Sequence, residues 1–300
     1  MPRFLSLLLL ITALLGGCAH HPVTTVESSA QSDNIFKSGV LWKISVPGVA
    51  DSYLLGTVHS EDARILAVGE AVMPYMMQAT TLAVEVLLDK QNSEQASRAM
   101  FFTDGRNLRE LAGEKLYQQS VRALAKHQIG EEHARMMKPW AVFTVLSMPE
   151  SSSGQFMDAV IYQRAQQAGK KLVGLESMAE QIAVFDQMGI QDQLRLLEDT
   201  LKNAGGMEKM LEDIIALYLR ADLEGIERNN GEYMGFTDAE LAARVNERLL
   251  YKRNTMMYER MQPLLKQGGV FVAVGTLHLV GEQGLLRKLH DAGYTLQMVR

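Results

Sequence analysis

The sequence predicts an α/β fold that is rich in helix, with a central mixed sheet built from two related halves, flanking helices and a helical lobe. Short apolar runs bounded by glycine or by an acidic residue are typical of strands covered on both faces. Long stretches with helical spacing separate these runs, which favours layered packing with parallel strand pairs. The phrase Gly-Thr-x-His ends two of the runs, at residues 56–59 and 275–278. Its two copies lie near opposite ends of the chain and therefore indicate a duplicated unit.

The first elements are a predicted hairpin, a helix and a buried strand. Residues 40–46 alternate modestly and are expected to pair with 52–55 through the turn at Pro47-Gly48. Apolar residues at helical spacing predict a helix over 69–79. Residues 81–86 then form a buried strand that carries an acid. This alternation of strand and helix is the first half of the predicted sheet.

The remainder of the chain is mostly helical, with three further strands. Helical patterns cover residues 91–148, 156–168, 178–267 and 281–292. Strand patterns lie at residues 171–176, 270–274 and 294–298. The long pattern from 178 to 267 predicts the helical lobe.

The first residues resemble the signal of a bacterial lipoprotein. Arg3 is followed by an apolar stretch over 7–15 that is too short to span a bilayer comfortably. Small residues then precede Cys18, the only cysteine of the chain. We expect Cys18 to be acylated, for example with palmitate, and to become the first mature residue. The alternative is an ordinary secretory peptide that contains a chance cysteine.

This signal divides the chain into three segments. Residues 1–17 are the predicted signal peptide, 18–35 the lipidated cysteine with a polar, flexible tether, and 36–300 the folded domain. Attached acyl chains hold a protein on a membrane durably. Ala19, rather than Asp, follows the cysteine and favours the outer membrane, with the domain facing the periplasm.

Composition restricts the class of partner. The hydrophobic content of 47% is sufficient for a substantial core. The formal net charge is −5, and no basic run or stripe is present, which argues against a nucleic acid as partner.

Four polar residues stand where predicted strands end: His59, Glu85, Glu176 and His278. Because parallel strands end at one edge of a sheet, we expect these side chains to lie close together. Two imidazoles and a carboxylate form a frequent catalytic zinc shell and also suit manganese, cobalt or iron. The second acid would then be a general base, or would orient an imidazole. The alternative for each residue is a hydrogen-bonded histidine in a loop or an acid that caps a helix.

Two further acids follow predicted loops or strands. Asp158 lies on the helix after Ser151-Ser152-Ser153-Gly154, a candidate rim loop, and it either faces the site or points away from it. Glu282 is expected in the first turn of the helix after His278, where a carboxylate favours the helix dipole without any chemistry.

The two Gly-Thr-x-His phrases, Glu85 and the segments 170–176 and 272–281 together resemble the TraB/GumN family, which is related to the Tiki metalloproteases. The resemblance runs from about Leu41 to Val299. It implies that His59, His278 and Glu85 hold a divalent metal, Mn, Co or Zn. It also aligns Arg253-Asn254 with an Arg-Asn pair of the family. Arg253 would stabilise an oxyanion or a carboxylate, although spacing alone is equally compatible with an exposed helical arginine.

The resemblance implies a metal-dependent hydrolase that acts on a peptide or protein, and the lipoprotein signal predicts that it is tethered to the bacterial membrane. Related folds include a haem-handling lipoprotein and an esterase, so fold analogy does not choose among these activities. One alternative is a lipoprotein that holds haem iron or a metal without turnover. Another is an accessory protein of envelope polysaccharide export, with a partner surface on the helical lobe.

Overall fold

A computed structural model describes residues 36–148, 153–233 and 238–300. The expected signal peptide, Cys18 and the tether lie outside these residues. Within them, no helix is both long enough and apolar enough to span a membrane.

The centre of the fold is a mixed sheet of six strands in the order β4-β3-β5-β2-β1-β6. The strands are β1 (Leu41–Ser45), β2 (Ser52–Thr57), β3 (Thr81–Val84), β4 (Lys171–Gly174), β5 (Val270–Gly275) and β6 (Thr295–Met298). The pairs β2–β5, β5–β3 and β3–β4 are parallel, whereas β1 pairs antiparallel with both β2 and β6. The predicted α/β architecture with parallel pairings is therefore confirmed.

Helices cover the sheet and build the rest of the molecule. The first group is α1 (Ala63–Gln78), α2 (Lys90–Ala99), α3 (Leu108–Lys126), α4 (Glu131–Met136), α5 (Pro139–Leu146) and α6 (Met157–Gln167). The second group is α7 (Met178–Asp186), α8 (Ile190–Asn203), α9 (Met207–Leu219), α10 (Leu223–Tyr233), α11 (Ala239–Asn246), α12 (Lys252–Gln267) and α13 (Leu285–Asp291). Side-chain caps stabilise the first turn of several of these helices. The side chain of Asp62 accepts the Arg64 amide at the start of α1, and Ser177 and Glu180 form a reciprocal capping box on α7.

The buried apolar residues form two large clusters. The first contains the strands together with buried residues of α1, α6, α9, α10, α12 and α13. The second contains no residue of the six strands and combines residues of the segment 86–145 with residues of 178–197 and 241–250. The helical lobe is thus built from separate stretches of the chain. The single lobe expected over 178–267 is wrong in extent, because Tyr218 and Met257 pack into the core of the sheet.

Two strands end earlier, and one helix starts later, than the sequence indicated. β3 stops at Val84 and β4 at Gly174, so Glu85 and Glu176 follow the strands instead of lying within them. Residues 281–284 form a turn before α13, so the prediction that Glu282 lies in the first turn of that helix is wrong. Gly281, with a φ of 78°, takes the chain out of helical geometry at this point.

Candidate metal centre

The four polar residues predicted at strand ends all lie at the carboxyl edge of the sheet. His59 lies two residues after β2, Glu85 directly after β3, Glu176 two residues after β4, and His278 closes a short 3₁₀ turn after β5. Each is buried, with at most 6% of its surface exposed. The edge also borders both cores, since Val84 belongs to the sheet cluster and Val86 to the helical one. The site therefore lies between the sheet and the helical lobe.

The two Gly-Thr-x-His phrases touch each other directly. β2 and β5 are neighbours, with Thr57 opposite Gly275. The hydroxyl of Thr276 donates to the backbone oxygen of Thr57 at 2.8 Å. A Cβ at Gly56 would lie 2.9 Å from the Thr276 Oγ1, which explains why glycine is required at that position. On the other side, the Tyr218 hydroxyl donates to the Gly56 oxygen at 2.7 Å. The phrases thus fix the backbone from which both histidines project.

Arg253 holds the two acids of the site together. Its Nη2 lies 2.6 Å from Oε2 of Glu85 and 2.6 Å from Oε2 of Glu176, and its Nε lies 2.9 Å from Oε1 of Glu176. Only 3% of its side chain is exposed, so the alternative of an exposed helical arginine is wrong. Burial would lower the pKa of Arg253, but the charges of Glu176 and Glu85 outweigh burial and raise it. With one guanidinium for two carboxylates, the cluster has an excess formal charge of −1.

Glu85 and Glu176 differ in their remaining contacts. Oε1 of Glu85 accepts the backbone N–H of Gly275 at 2.7 Å and lies 3.8 Å from Nε2 of His278. Glu176 is fully enclosed, and the Gln181 amide nitrogen donates both to it at 3.2 Å and to Oε2 of Glu85 at 3.4 Å. Of the two acids, Glu85 is therefore the one that faces His278, and Glu176 lies farther from that ring, against Arg253.

His278 is held in one tautomer by its neighbours. The Asn254 amide nitrogen donates to the backbone oxygen of Gln283 at 2.9 Å, which leaves its Oδ1 as an acceptor. That oxygen lies 2.5 Å from Nδ1 of His278, so Nδ1 carries the hydrogen and Nε2 the lone pair. Nε2 is buried and has no hydrogen-bond partner. Burial, reinforced by the charge of Arg253, holds the pKa of His278 well below its ordinary value, so the ring is neutral.

His59 has a different set of neighbours. Its ring stacks on Phe156 with the centroids 3.8 Å apart, and its Nδ1 lies 3.4 Å from Oδ2 of Asp158. The Thr57 hydroxyl donates a short hydrogen bond to Oδ1 of the same aspartate. Burial alone would raise the pKa of Asp158, but the contacts with His59 and Thr57 lower it overall. Both ring nitrogens of His59 are buried without a hydrogen-bond partner.

A π-helical turn places Arg253 and Asn254. Residues 247–251 form this turn directly before α12. Such bulges insert an extra residue into a helix and occur frequently at functional sites. Arg253 and Asn254 lie in the first turn of α12, and they contact Glu85 and His278 respectively.

A cavity of about 370 Å³ borders the residues that follow His59 in the chain, Ser60 to Asp62. Its apolar lining includes Phe156, which stacks on His59, together with Leu211 and Ile215. Its polar lining includes Asp62 and Glu212, and both of these acids already bind the guanidinium of Arg64. Phe156 thus contacts both the cavity and the His59 ring, whereas His59 itself does not line the cavity.

The donor atoms suit a divalent metal, although they do not form a complete shell in this arrangement. Buried imidazole nitrogens without partners are the ligands that zinc and related metals prefer, and an orienting acceptor at Nδ1 is typical of metal-bound histidine. His278 meets both conditions, and His59 has a carboxylate near Nδ1. Among the described residues, however, no group of three or more His, Cys, Asp or Glu side chains is placed to hold a metal. Oε1 of Glu85 and Oδ2 of Asp158 are the nearest carboxylate oxygens to the rings.

Several contacting residues were not assigned from the sequence. Phe156 and Gln181 carry no signal that separates them from ordinary helix residues. The sequence does not decide whether Asp158 faces the site, and the structure places it against His59. The sequence marks Asn254 only as the neighbour of Arg253, whereas the structure shows that it contacts Nδ1 of His278.

Comparisons with known proteins agree with this architecture. The model of the TraB/PrgY/gumN family matches residues 40–298, which is nearly all of the described part of the chain. No curated protein and no solved structure matches the chain.

Proposed function

Since the chain belongs to the TraB/PrgY/gumN family, we propose that it is a metal-dependent hydrolase that cleaves peptide bonds. The observation that carries this proposal is the pair of buried imidazoles at the ends of two adjacent parallel strands, each with an unpartnered Nε2. A buried polar atom without a partner costs free energy unless something binds it. A divalent cation is the simplest partner for two such nitrogens beside an excess negative charge.

In this proposal His59 and His278 hold the metal, with Glu85 as the carboxylate closest to His278. A bound divalent ion, Mn, Co or Zn, supplies Lewis acidity to polarise a carbonyl and to activate water. Asn254 keeps the lone pair of His278 on Nε2, and Arg253 keeps Glu85 in place. Glu176 acts through Arg253 instead of touching a substrate, since its side chain is fully enclosed.

The buried position of Arg253 also limits its own role. Its Nε and Nη2 already contact Glu85 and Glu176, and its Nη1 donates to the Leu249 oxygen at 3.2 Å. We therefore assign Arg253 to orientation of the acids, and its direct action on an oxyanion would require these contacts to be exchanged.

The test of the metal site is elemental analysis of the full-length protein after dialysis with Mn²⁺, Co²⁺ or Zn²⁺. We expect a stoichiometric ion in the wild-type protein, loss of the ion in His59→Ala/His278→Ala, and cleavage of a peptide library only by the metal-loaded wild type. His290→Ala is the matched control, because His290 is an exposed histidine of α13 that pairs with Asp291. Full retention of the ion in the double variant would contradict the proposed site. Binding of the ion without any cleavage would contradict the hydrolase.

The proposed location is the periplasmic face of the outer membrane, with Cys18 as the anchor. The sequence around Cys18 supports it. We expect the wild-type protein in the detergent phase after phase partitioning and Cys18→Ala in the aqueous phase. Equal partitioning of the two would argue against a lipid anchor.

A further inference from the structure

Asp158 contacts the first Gly-Thr-x-His phrase at two points. Its Oδ1 accepts the Thr57 hydroxyl, and its Oδ2 lies 3.4 Å from Nδ1 of His59. It belongs to the first turn of α6, whereas Thr57 and His59 belong to β2 and the loop after it. Oδ2 is buried and has no hydrogen-bond partner. One oxygen of Asp158 is thus fixed by a hydroxyl while the other faces an imidazole.

His278, the histidine of the second phrase, has a neighbour equivalent to Asp158. Oδ1 of Asn254 lies 2.5 Å from Nδ1 of His278, and the Asn254 amide nitrogen is fixed by the Gln283 oxygen. Both histidines therefore have a side-chain oxygen of a helix residue at Nδ1. In both, Nε2 is the buried nitrogen that points away from this partner without a bond of its own.

From this correspondence we infer that Asp158 is a positioning residue that keeps the hydrogen of His59 on Nδ1 and so presents the lone pair on Nε2. The inference rests on the proposed metal site, because a metal binds the nitrogen that carries no hydrogen. Stacking on Phe156 fixes the plane of the His59 ring, and Asp158 selects its tautomer. The two atoms are 3.4 Å apart, slightly more than the usual length of an N–H···O hydrogen bond, so this role requires them to move a little closer together.

The experiment compares Asp158→Ala with Asp158→Asn in the full-length protein. An asparagine at this position can still accept from Nδ1 through its Oδ1, as Asn254 does, while its amide faces the Thr57 hydroxyl, which can accept as well as donate. We expect Asp158→Ala to weaken Co²⁺ or Zn²⁺ binding about 10- to 100-fold and Asp158→Asn to keep most of the affinity. Asp291→Ala, at an exposed position that binds His290 and Arg287, is the control for general effects.

The second readout requires no metal. Long-range ¹H–¹⁵N spectra of histidine-labelled protein, prepared without metal, report which ring nitrogen carries the hydrogen. We expect the Nδ1–H form of His59 in the wild type and in Asp158→Asn, and its loss in Asp158→Ala, while His278 keeps its Nδ1–H in all three.

The outcomes separate this inference from the proposed function. If the tautomer of His59 is unchanged in Asp158→Ala while the wild type binds metal, the positioning role is wrong and the metal site stands. If the tautomer changes but the wild type binds no metal, the positioning role stands and the metal site is wrong. Equal loss of affinity in Asp158→Asn and Asp158→Ala would make Asp158 a direct ligand and overturn the inference.

Discussion

Removal of the guanidinium that joins the two acids is the sharpest test of the buried cluster. Arg253→Met keeps the length of the side chain but leaves Glu85 and Glu176 without a counter-charge, at 7% and 0% exposure of their side chains. Breaking a buried ion pair by removing one partner costs about 3–5 kcal/mol, because it leaves an uncompensated charge in the interior. In a domain of this size each kcal/mol lowers Tm by about 2–4 °C, so we expect a decrease of about 6–20 °C.

Urea unfolding of the full-length protein measures this loss, and two comparisons define its cause. The triple variant Arg253→Met/Glu85→Gln/Glu176→Gln removes the charges as well and should regain much of the stability. Arg260→Met is the matched control on the same helix. Arg260 pairs with Glu180 but is 42% exposed, so solvent screens the pair and the loss should be smaller.

The pH dependence of the single variant provides a further check. An unpaired buried carboxylate has a folded-state pKa raised above its unfolded value, so its cost is full at high pH and decreases as the group takes up a proton. The stability difference between wild type and Arg253→Met should therefore shrink from pH 8 to pH 5. A deficit under about 1 kcal/mol at pH 8, or a triple variant no more stable than the single one, would refute the reasoning.

Two further predictions concern the neighbouring framework. Gly56→Ala would place a Cβ 2.9 Å from Oγ1 of Thr276 and should lower the free energy of unfolding, measured in urea, by about 1–3 kcal/mol. Gly205→Ala is the control, because its Cβ would have no atom within 4 Å, and its stability should stay near that of the wild type. Equal unfolding free energies for the two variants would show that the two phrases are not tightly packed. The hydrogen bond from Arg260 lowers the pKa of Glu180 to about 2, so its stabilising effect is present above the ordinary pKa and is lost as the pH falls towards 2. Thermal unfolding of Glu180→Gln should thus show a deficit at pH 7 that disappears near pH 2, and a deficit that does not change with pH would contradict the assignment.

The sequence was sufficient to predict the strands and the residues that follow them. Periodic apolar runs and the repeated phrase depend on short segments, so His59, Glu85, Glu176 and His278 could be placed at strand ends from local patterns alone. The exact ends of β3 and β4 could not, because the last residue of a strand is set by pairing with its neighbour.

The partners of the site residues were harder to predict, since they come from distant helices. Arg253 lies among charged and polar residues and matches an exposed helix equally well, until its two carboxylate partners are known. Asp158 and Asn254 occupy first turns of helices, where polar residues are common for local reasons. Only the packing of α6 and α12 against the sheet edge distinguishes them from residues that merely start a helix.

The adjacency of β2 and β5 has a consequence for the order of events in biosynthesis. The strand that delivers His59 is synthesised before residue 60, but its parallel partner, which delivers His278, starts only at residue 270. Contacts between such distant segments close late and slow the folding of a domain. A nascent or truncated chain that stops before β5 contains one imidazole without the other, so the protein gains its complete pair of rings only after β5 and His278 have been synthesised.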